Sequence, residues 1–194
     1  MRNAFFCYLP SMQKNPDQFP FAYFLTYTTY GTWLHGDQRK SVDSKHNVFL
    51  TPKIKQNPGL HRFKAQRMLE DPYCLNDDDR KIVLREIIDT CGYYDWELFA
   101  AHARTNHVHL VLSANDKPEN VMGKLKAYAS RALNKKYGKK RKYWTHHGST
   151  RYIWTSTFLF PVMRYIIDDQ GERMACYYQK NLYESGLDQA NWDF

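Results

Sequence analysis

Between Asn106 and Ser113 the chain reads N-H-V-H-L-V-L-S, and this octet constrains the fold more than any other stretch. Side chains of a β-strand alternate between its two faces. Val108, Leu110 and Leu112 therefore share one face. His107 and His109 share the other, about 6–7 Å apart along the backbone. The apolar face requires helical cover, and amphipathic segments flank the strand on both sides.

Residues 21–30, FAYFLTYTTY, are rich in aromatics and Thr and read as a strand ending at Gly31. Residues 35–60 form a polar excursion, with a short helix over about 61–70. Asn76 and three aspartates open a helix, because short acidic side chains cap free N–H groups and suit the positive helix end. Ile82, Val83, Leu84, Ile87, Ile88 and Cys91 repeat at helical spacing, and Gly92 stops them. Residues 96–103 and 106–114 form a hairpin about Arg104-Thr105. Pro118 opens a helix whose apolar face runs through Val121, Met122, Leu125, Tyr128, Ala129, Ala132 and Leu133 to about Tyr137. Residues 150–155 read as a strand. Ser156 or Thr157 caps a last helix reaching about Gln170, with Gly171 as its stop.

The expected class is α+β. The first six elements make a split β-α-β-β-α-β, ferredoxin-like antiparallel sheet with helices on one face, and a C-terminal helix is added. The other sheet face is expected to be free for a site. Residues 1–20 read as a loosely ordered arm and 21–194 as a single domain.

The chain's 194 residues, 43% hydrophobic, suffice for a core without staples, and no short period repeats. No apolar run approaches a membrane span, and the first 20 residues are too polar for a secretory signal. Cys7, Cys74, Cys91 and Cys176 lie far apart without a C-x-x-C pair, which points to a reduced, cytoplasmic setting. The net charge of +8 favours a polyanionic partner.

Two neutral imidazoles side by side can ligate one divalent metal and leave positions for oxygen ligands and a phosphate. The competing reading is two exposed sheet histidines with no metal. Histidine-triad hydrolases need a third alternating His, but position 111 is Val. Two-histidine phosphoesterases need a second H-x-[ST] beside His147-Gly148-Ser149, and none is found. Among 15 tyrosines, two lie on helices after the histidines. Tyr128 shares the apolar face of Val121, Leu125 and Ala132, as a core residue would. Tyr165 instead aligns with Phe158, Pro161, Val162, Asp168 and Asp169, opposite Leu159, Met163 and Ile166. Its phenol is either a nucleophile beside a metal or a ring packed at a helix edge.

His107-Val108-His109 in N-H-V-H-L-V-L, followed by a helix with Tyr165 and Gln170, resembles the single-tyrosine HUH transposases, both insertion-sequence and REP-associated. Thr29-Tyr30-Gly31-Thr32-Trp33-Leu34 and Gly148-Ser149-Thr150-Arg151-Tyr152 resemble further segments, so the likeness covers about residues 21–180. The resemblance implies cleavage and rejoining of single-stranded DNA near hairpins. Tyr165 would form a 5′-phosphotyrosine link and release a 3′-hydroxyl. His107 and His109 would hold Mg²⁺ or Mn²⁺, and a polar residue of the tyrosine helix would complete the site. It also implies a homodimer, in which the tyrosine helix can serve the partner's histidines. In insertion-sequence relatives the third ligand lies one turn after the tyrosine, which is Asp169 here. Gln170, preferred by resemblance, would sit roughly 140° around a regular helix from Tyr165. Two other readings are a domesticated, non-catalytic DNA-hairpin binder on the same fold and an RNA-binding protein. The second lacks an aromatic-rich strand motif of the usual kind.

Residues 124–142 carry Lys124, Lys126, Arg131, Lys135, Lys136, Lys139, Lys140, Arg141 and Lys142 with no acid, and Tyr137, Tyr143 and Trp144 lie among or beside them. Basic groups neutralise phosphates while aromatic faces stack unpaired bases. Single-stranded DNA binding should therefore weaken with salt, with a log–log slope of about −0.7 per phosphate contacted. A flat response in a salt titration would remove this stretch as a DNA surface.

Overall fold

The computed structural model describes residues 19–34 and 56–190. The expected arm (1–20) and most of the excursion (35–60) fall outside them.

The elements run β1 (Ala22–Thr28), α1 (Pro58–Gln66), α2 (Asp77–Tyr93), β2 (Glu97–Ala103), β3 (His107–Ser113), α3 (Pro118–Tyr137) and β4 (Ser149–Ile153). A 3-10 turn at Ser156–Phe158 follows, then α4 (Leu159–Ile167), β5 (Ala175–Tyr178) and α5 (Lys180–Ala190). The sheet order is β4-β1-β3-β2-β5, antiparallel throughout. Its first four strands have the split β-α-β-β-α-β order expected. β5 and α5 are additions. Four residues without clear alternation carry little period, so β5 takes its strand form from pairing with β2.

Helix α2 starts as the sequence predicts. Asn76 accepts from Asp79 N at 2.9 Å, and the Asp79 carboxylate reaches back to Asn76 N. Helix α1 begins at Pro58, three residues earlier than expected, because Asn57 caps Leu60 N and proline suits a first helical position. α4 starts one or two residues later than predicted. Neither Ser156 nor Thr157 caps it, and the 3-10 turn precedes it.

β3 is the middle strand and is buried on both sides. Val108, Leu110 and Leu112 meet Leu25, Val83, Ile87, Val121 and Leu125 beneath α2 and α3. Full burial of such a side chain stabilises by roughly 1.5–3 kcal/mol. The opposite face is not left free. Leu159, Met163 and Ile166 of α4 cover Phe99, Ala100 and Val111, and Tyr183 of α5 closes the cluster. A strand triplet of Phe, Ala and Val would otherwise expose apolar surface to water, so the apolar stripe of α4 lies down on it.

Turn and crossing positions use glycine where space requires it. Gly31, at φ +74°, turns the chain after β1, and a Cβ there would stand 2.3 Å from Met68 Cε. At Gly148 a Cβ would meet the Thr26 carbonyl oxygen at 2.6 Å.

The start of α2 is tied to the end of α3 through Asp79, which is only 1% exposed. Its carboxylate accepts from Tyr73 Oη (2.6 Å), Lys136 Nζ (2.8 Å) and Tyr137 Oη (2.8 Å). These bonds hold the Asp79 pKa below the usual carboxylate value despite burial. Its stabilising contribution is thus present above the unfolded pKa near 4 and disappears as pH falls through the lower folded value. Asp79→Ala should lower unfolding free energy by about 2–4 kcal/mol in urea denaturation. A change within experimental scatter would show that the cluster is not a tie.

Candidate active site

Alternation along β3 puts His107 and His109 on the α4 side of the sheet, with ring centroids 4.7 Å apart at 71°. Each ring is oriented by a neighbour. His107 Nδ1 lies 2.7 Å from Asn106 Oδ1. A carboxamide oxygen only accepts, so the neutral ring carries its proton on Nδ1 and presents Nε2 as a lone pair. His109 Nδ1 lies 2.7 Å from the Thr26 hydroxyl, and Thr26 is its direct cross-strand partner.

Burial pushes the His109 pKa down to about 3, helped by the neighbouring His107, His102 and Arg104 charges. The ring is therefore neutral, and free to ligate, across the physiological range. This departs from the ordinary value near 6.5 that an exposed strand histidine would keep.

α4 brings Tyr165 to the pair. Its ring centroid lies 5.6 Å from His109 and 5.9 Å from Phe24, nearly perpendicular to both. The ring is 42% exposed, while Leu159, Met163, Ile166 and Ile167 face the sheet. Tyr128 is elsewhere, among Tyr93, Tyr94 and Arg131 at the far end of α2.

The α-helix ends at Ile167, and Gly171 has φ +77°. Gln170 is thus not on a regular helix, and the 140° objection lapses. Its Nε2 donates to the Tyr165 carbonyl oxygen at 3.1 Å, and its side chain also hydrogen-bonds His109. Asp168 binds Tyr183 and Arg173. Asp169 is exposed. Among the described residues no three of His, Cys, Asp and Glu converge, so Asp169 does not join the two histidines. Two imidazoles and one amide oxygen remain, an N/N/O set that suits a divalent cation such as Mn²⁺. Mg²⁺ prefers oxygen donors and is the poorer match. The rings already have the outer partners that ligating histidines normally use. A cleft of about 240 Å³ lined by Thr28, Thr32, Trp33 and Asn106 opens beside His107.

One contributing residue escaped the sequence reading. His102, on β2 opposite His109, is fully buried. Its Nδ1–H donates to the Ile166 carbonyl at 2.8 Å, and its Nε2 accepts from Met174 N–H at 3.0 Å. It pins the end of α4 one residue beyond Tyr165. A lone histidine within Leu98–Ala103 was the available signal.

The basic residues separate into two groups. Lys126 turns inward, its Nζ donating to the carbonyls of Thr145, His146 and His147 at 2.9–3.3 Å. Lys124 pairs with Asp116, Lys136 with Asp79 and Arg141 with Glu70. Arg131 stacks on Tyr128, and Lys142 Nζ stands over Tyr30. Lys135, Lys139 and Lys140 are exposed. Three members of the stretch are therefore compensated by acids outside it.

His102 and His109 both have lowered pKa values, through desolvation first. Between about pH 3 and 6.5 the unfolded chain binds more protons than the folded one, so stability rises with pH. Each group contributes up to about 1.4 kcal/mol per pH unit. In urea unfolding across pH 4–7, a His102→Asn/His109→Asn variant should show a shallower slope than wild type. Equal slopes would mean that neither imidazole is held neutral.

The family model described as "Transposase IS200 like" matches residues 72–165, just under half of the chain. No curated protein matches the sequence. A solved structure of a REP-associated tyrosine transposase bound to a REP hairpin is similar at TM-score 0.43 and 10% identity. That likeness covers 76% of this chain, which spans 65% of the length of that one, and it is too slight to carry function. The family match takes in the stretch that holds His107, His109 and Tyr165, and over that stretch the chain is similar to the IS200-like transposases.

Proposed function

We propose that the chain cleaves and rejoins single-stranded DNA near hairpins, with Tyr165 as nucleophile and a divalent metal held by His107, His109 and Gln170. The observation that carries this reading is the meeting of two oriented imidazoles, an amide and a half-exposed phenol on one sheet face. Bound there, Mn²⁺ or Mg²⁺ would withdraw charge from the scissile phosphate. Asn106 and Thr26 keep the imidazole lone pairs aimed outward. Phe24 and His109 hold the half-exposed Tyr165 ring on edge, open to an incoming strand. The Tyr165 oxygen bonds to phosphorus as the P–O3′ bond breaks. The phenol proton leaves to solvent, and the departing 3′-oxygen gains one. A 5′-phosphotyrosine and a 3′-hydroxyl result, and reversal on another end rejoins DNA.

Residues 21–194 would act as one domain. Tyr165 lies beside the histidines of its own chain, which favours an active site formed within one protomer even if the protein dimerises. Lys135, Lys139 and Lys140 are the members of the basic stretch best placed for phosphates, since they are exposed.

Protein mixed with hairpin-bearing single-stranded DNA and Mn²⁺ should give a covalent adduct on a denaturing gel. Tyr165→Phe should abolish the adduct and leave DNA affinity nearly intact, whereas Tyr128→Phe should form it normally. Binding without any adduct from the wild-type chain would favour the domesticated, non-catalytic binder. An adduct that survives Tyr165→Phe and is lost in Tyr128→Phe would overturn the nucleophile.

A further inference from the structure

We infer that Arg104 is a further catalytic residue of the DNA-cleaving site, its guanidinium binding a non-bridging oxygen of the scissile phosphate. The inference rests on the cleavage reading above and adds to it a group outside the histidine, glutamine and tyrosine set.

Strand register puts Arg104 there. β2 and β3 pair His102 with His109 and Ala103 with Val108. The next step brings Arg104 opposite His107, and the Arg104 N–H donates to the His107 carbonyl at 2.9 Å. Opposite residues of an antiparallel pair hold their Cβ atoms about 5 Å apart on one face. Arg104 therefore stands beside His107 on the α4 side of the sheet, the side of His102, His109 and Tyr165. Arg151 shares that face as the cross-strand partner of Phe24, but it is exposed and lies two strands from His107.

The side chain is held in place. Arg104 is half-buried, and its Nη1 donates to the Glu172 carbonyl oxygen at 3.1 Å. Nη2 lies along Gly171, 4.0 Å from where a Cβ would stand. The residue before that glycine is Gln170, whose side chain reaches His109. The guanidinium thus rests against the segment that carries Gln170. Burial lowers the pKa of both His102 and His109, and the nearby Arg104 charge adds to it.

Charge balance selects the occupant. Among the described residues Arg104 has no carboxylate partner, and Glu172 meets it only through a backbone oxygen. The remaining N–H donors of the fork have no acceptor there either. A partly buried cation left unpaired is unfavourable, and an anion bound beside it offsets the cost. The planar fork matches phosphate oxygens, which accept its parallel N–H bonds. Placed so, it stabilises charge on the non-bridging oxygens while the Tyr165 oxygen bonds to phosphorus and the P–O3′ bond breaks. It neither gives nor takes a proton, because a guanidinium stays charged.

The test is single-turnover formation of the Tyr165 adduct at saturating hairpin DNA and Mn²⁺. With a natural phosphate at the scissile position, Arg104→Ala should react about 100-fold more slowly than wild type. Arg104→Lys, which keeps a charge without the fork, should fall between the two. A methylphosphonate there replaces one charged oxygen with a methyl group and removes the need for the cation. On at least one of its two stereoisomers, Arg104→Ala should react nearly as fast as wild type. DNA affinity by anisotropy and Mn²⁺ affinity by paramagnetic resonance should be retained in both variants. Arg104→Ala that matches wild type on the phosphate would overturn the assignment. So would equal slowing on the phosphate and both methylphosphonates, or a loss of Mn²⁺ affinity, since either would make Arg104 a tie to the 170–172 segment. In those cases a wild-type adduct leaves the cleavage reading standing. Wild type that forms no adduct on any of these strands would overturn both. If Arg104→Ala does not fold, the same comparison with Arg104→Lys decides.

Discussion

The middle strand of the sheet is buried on both faces, and the rest of the structure depends on how its two sides are satisfied. One side of β3 is apolar and disappears beneath α2 and α3. The other begins with two imidazoles and ends with Val111 under α4. A polar ring in such a place needs partners, since an unsatisfied buried donor or acceptor costs about 1–3 kcal/mol. Thr26, Asn106 and Gln170 provide them. The same bonds that make the histidines tolerable also orient them, while burial keeps the His109 ring neutral.

The tyrosine reaches this pair for a reason of packing. α4 has one strongly apolar stripe, and Phe99, Ala100 and Val111 offer it an apolar bed. Lying there, the helix turns its opposite edge, with Tyr165, toward the upper end of β1 and β3. His102 then fastens the last turn through Nδ1, and its Nε2 holds Met174 ahead of β5. The helix must stop at Ile167 for the Gln170 side chain to fold back toward His109. Gly171 gives the chain the left-handed turn that follows.

Much of this was legible from local pattern. The alternation around His107 and His109, the capping start at Asn76, Pro118 opening α3, and the stripe opposing Tyr165 are all periodic or terminal signals, and each recurs in the structure. The free second face was not. The apolar residues that recruit α4 come from β2 and β3 together, and no single segment displays them. The partners of the basic stretch were hidden for a related reason. Asp79, Glu70 and Asp116 lie outside it in sequence but adjacent in space, and Lys126 is drawn inward by three carbonyls from the loop before β4.

By itself the sequence determined which residues share a face, because strand and helix periods are set by backbone geometry within a few residues. It therefore determined the histidine pair, the exposed tyrosine edge and the order of the split β-α-β-β-α-β unit. Only the tertiary structure decided that Gln170 and not Asp169 reaches His109, that His102 anchors the tyrosine helix, and which lysines remain exposed. Those outcomes depend on where a helix ends and on contacts spanning tens of residues, such as Thr26 with His109 and His102 with Ile166. Local propensity cannot encode a partner that arrives through chain closure.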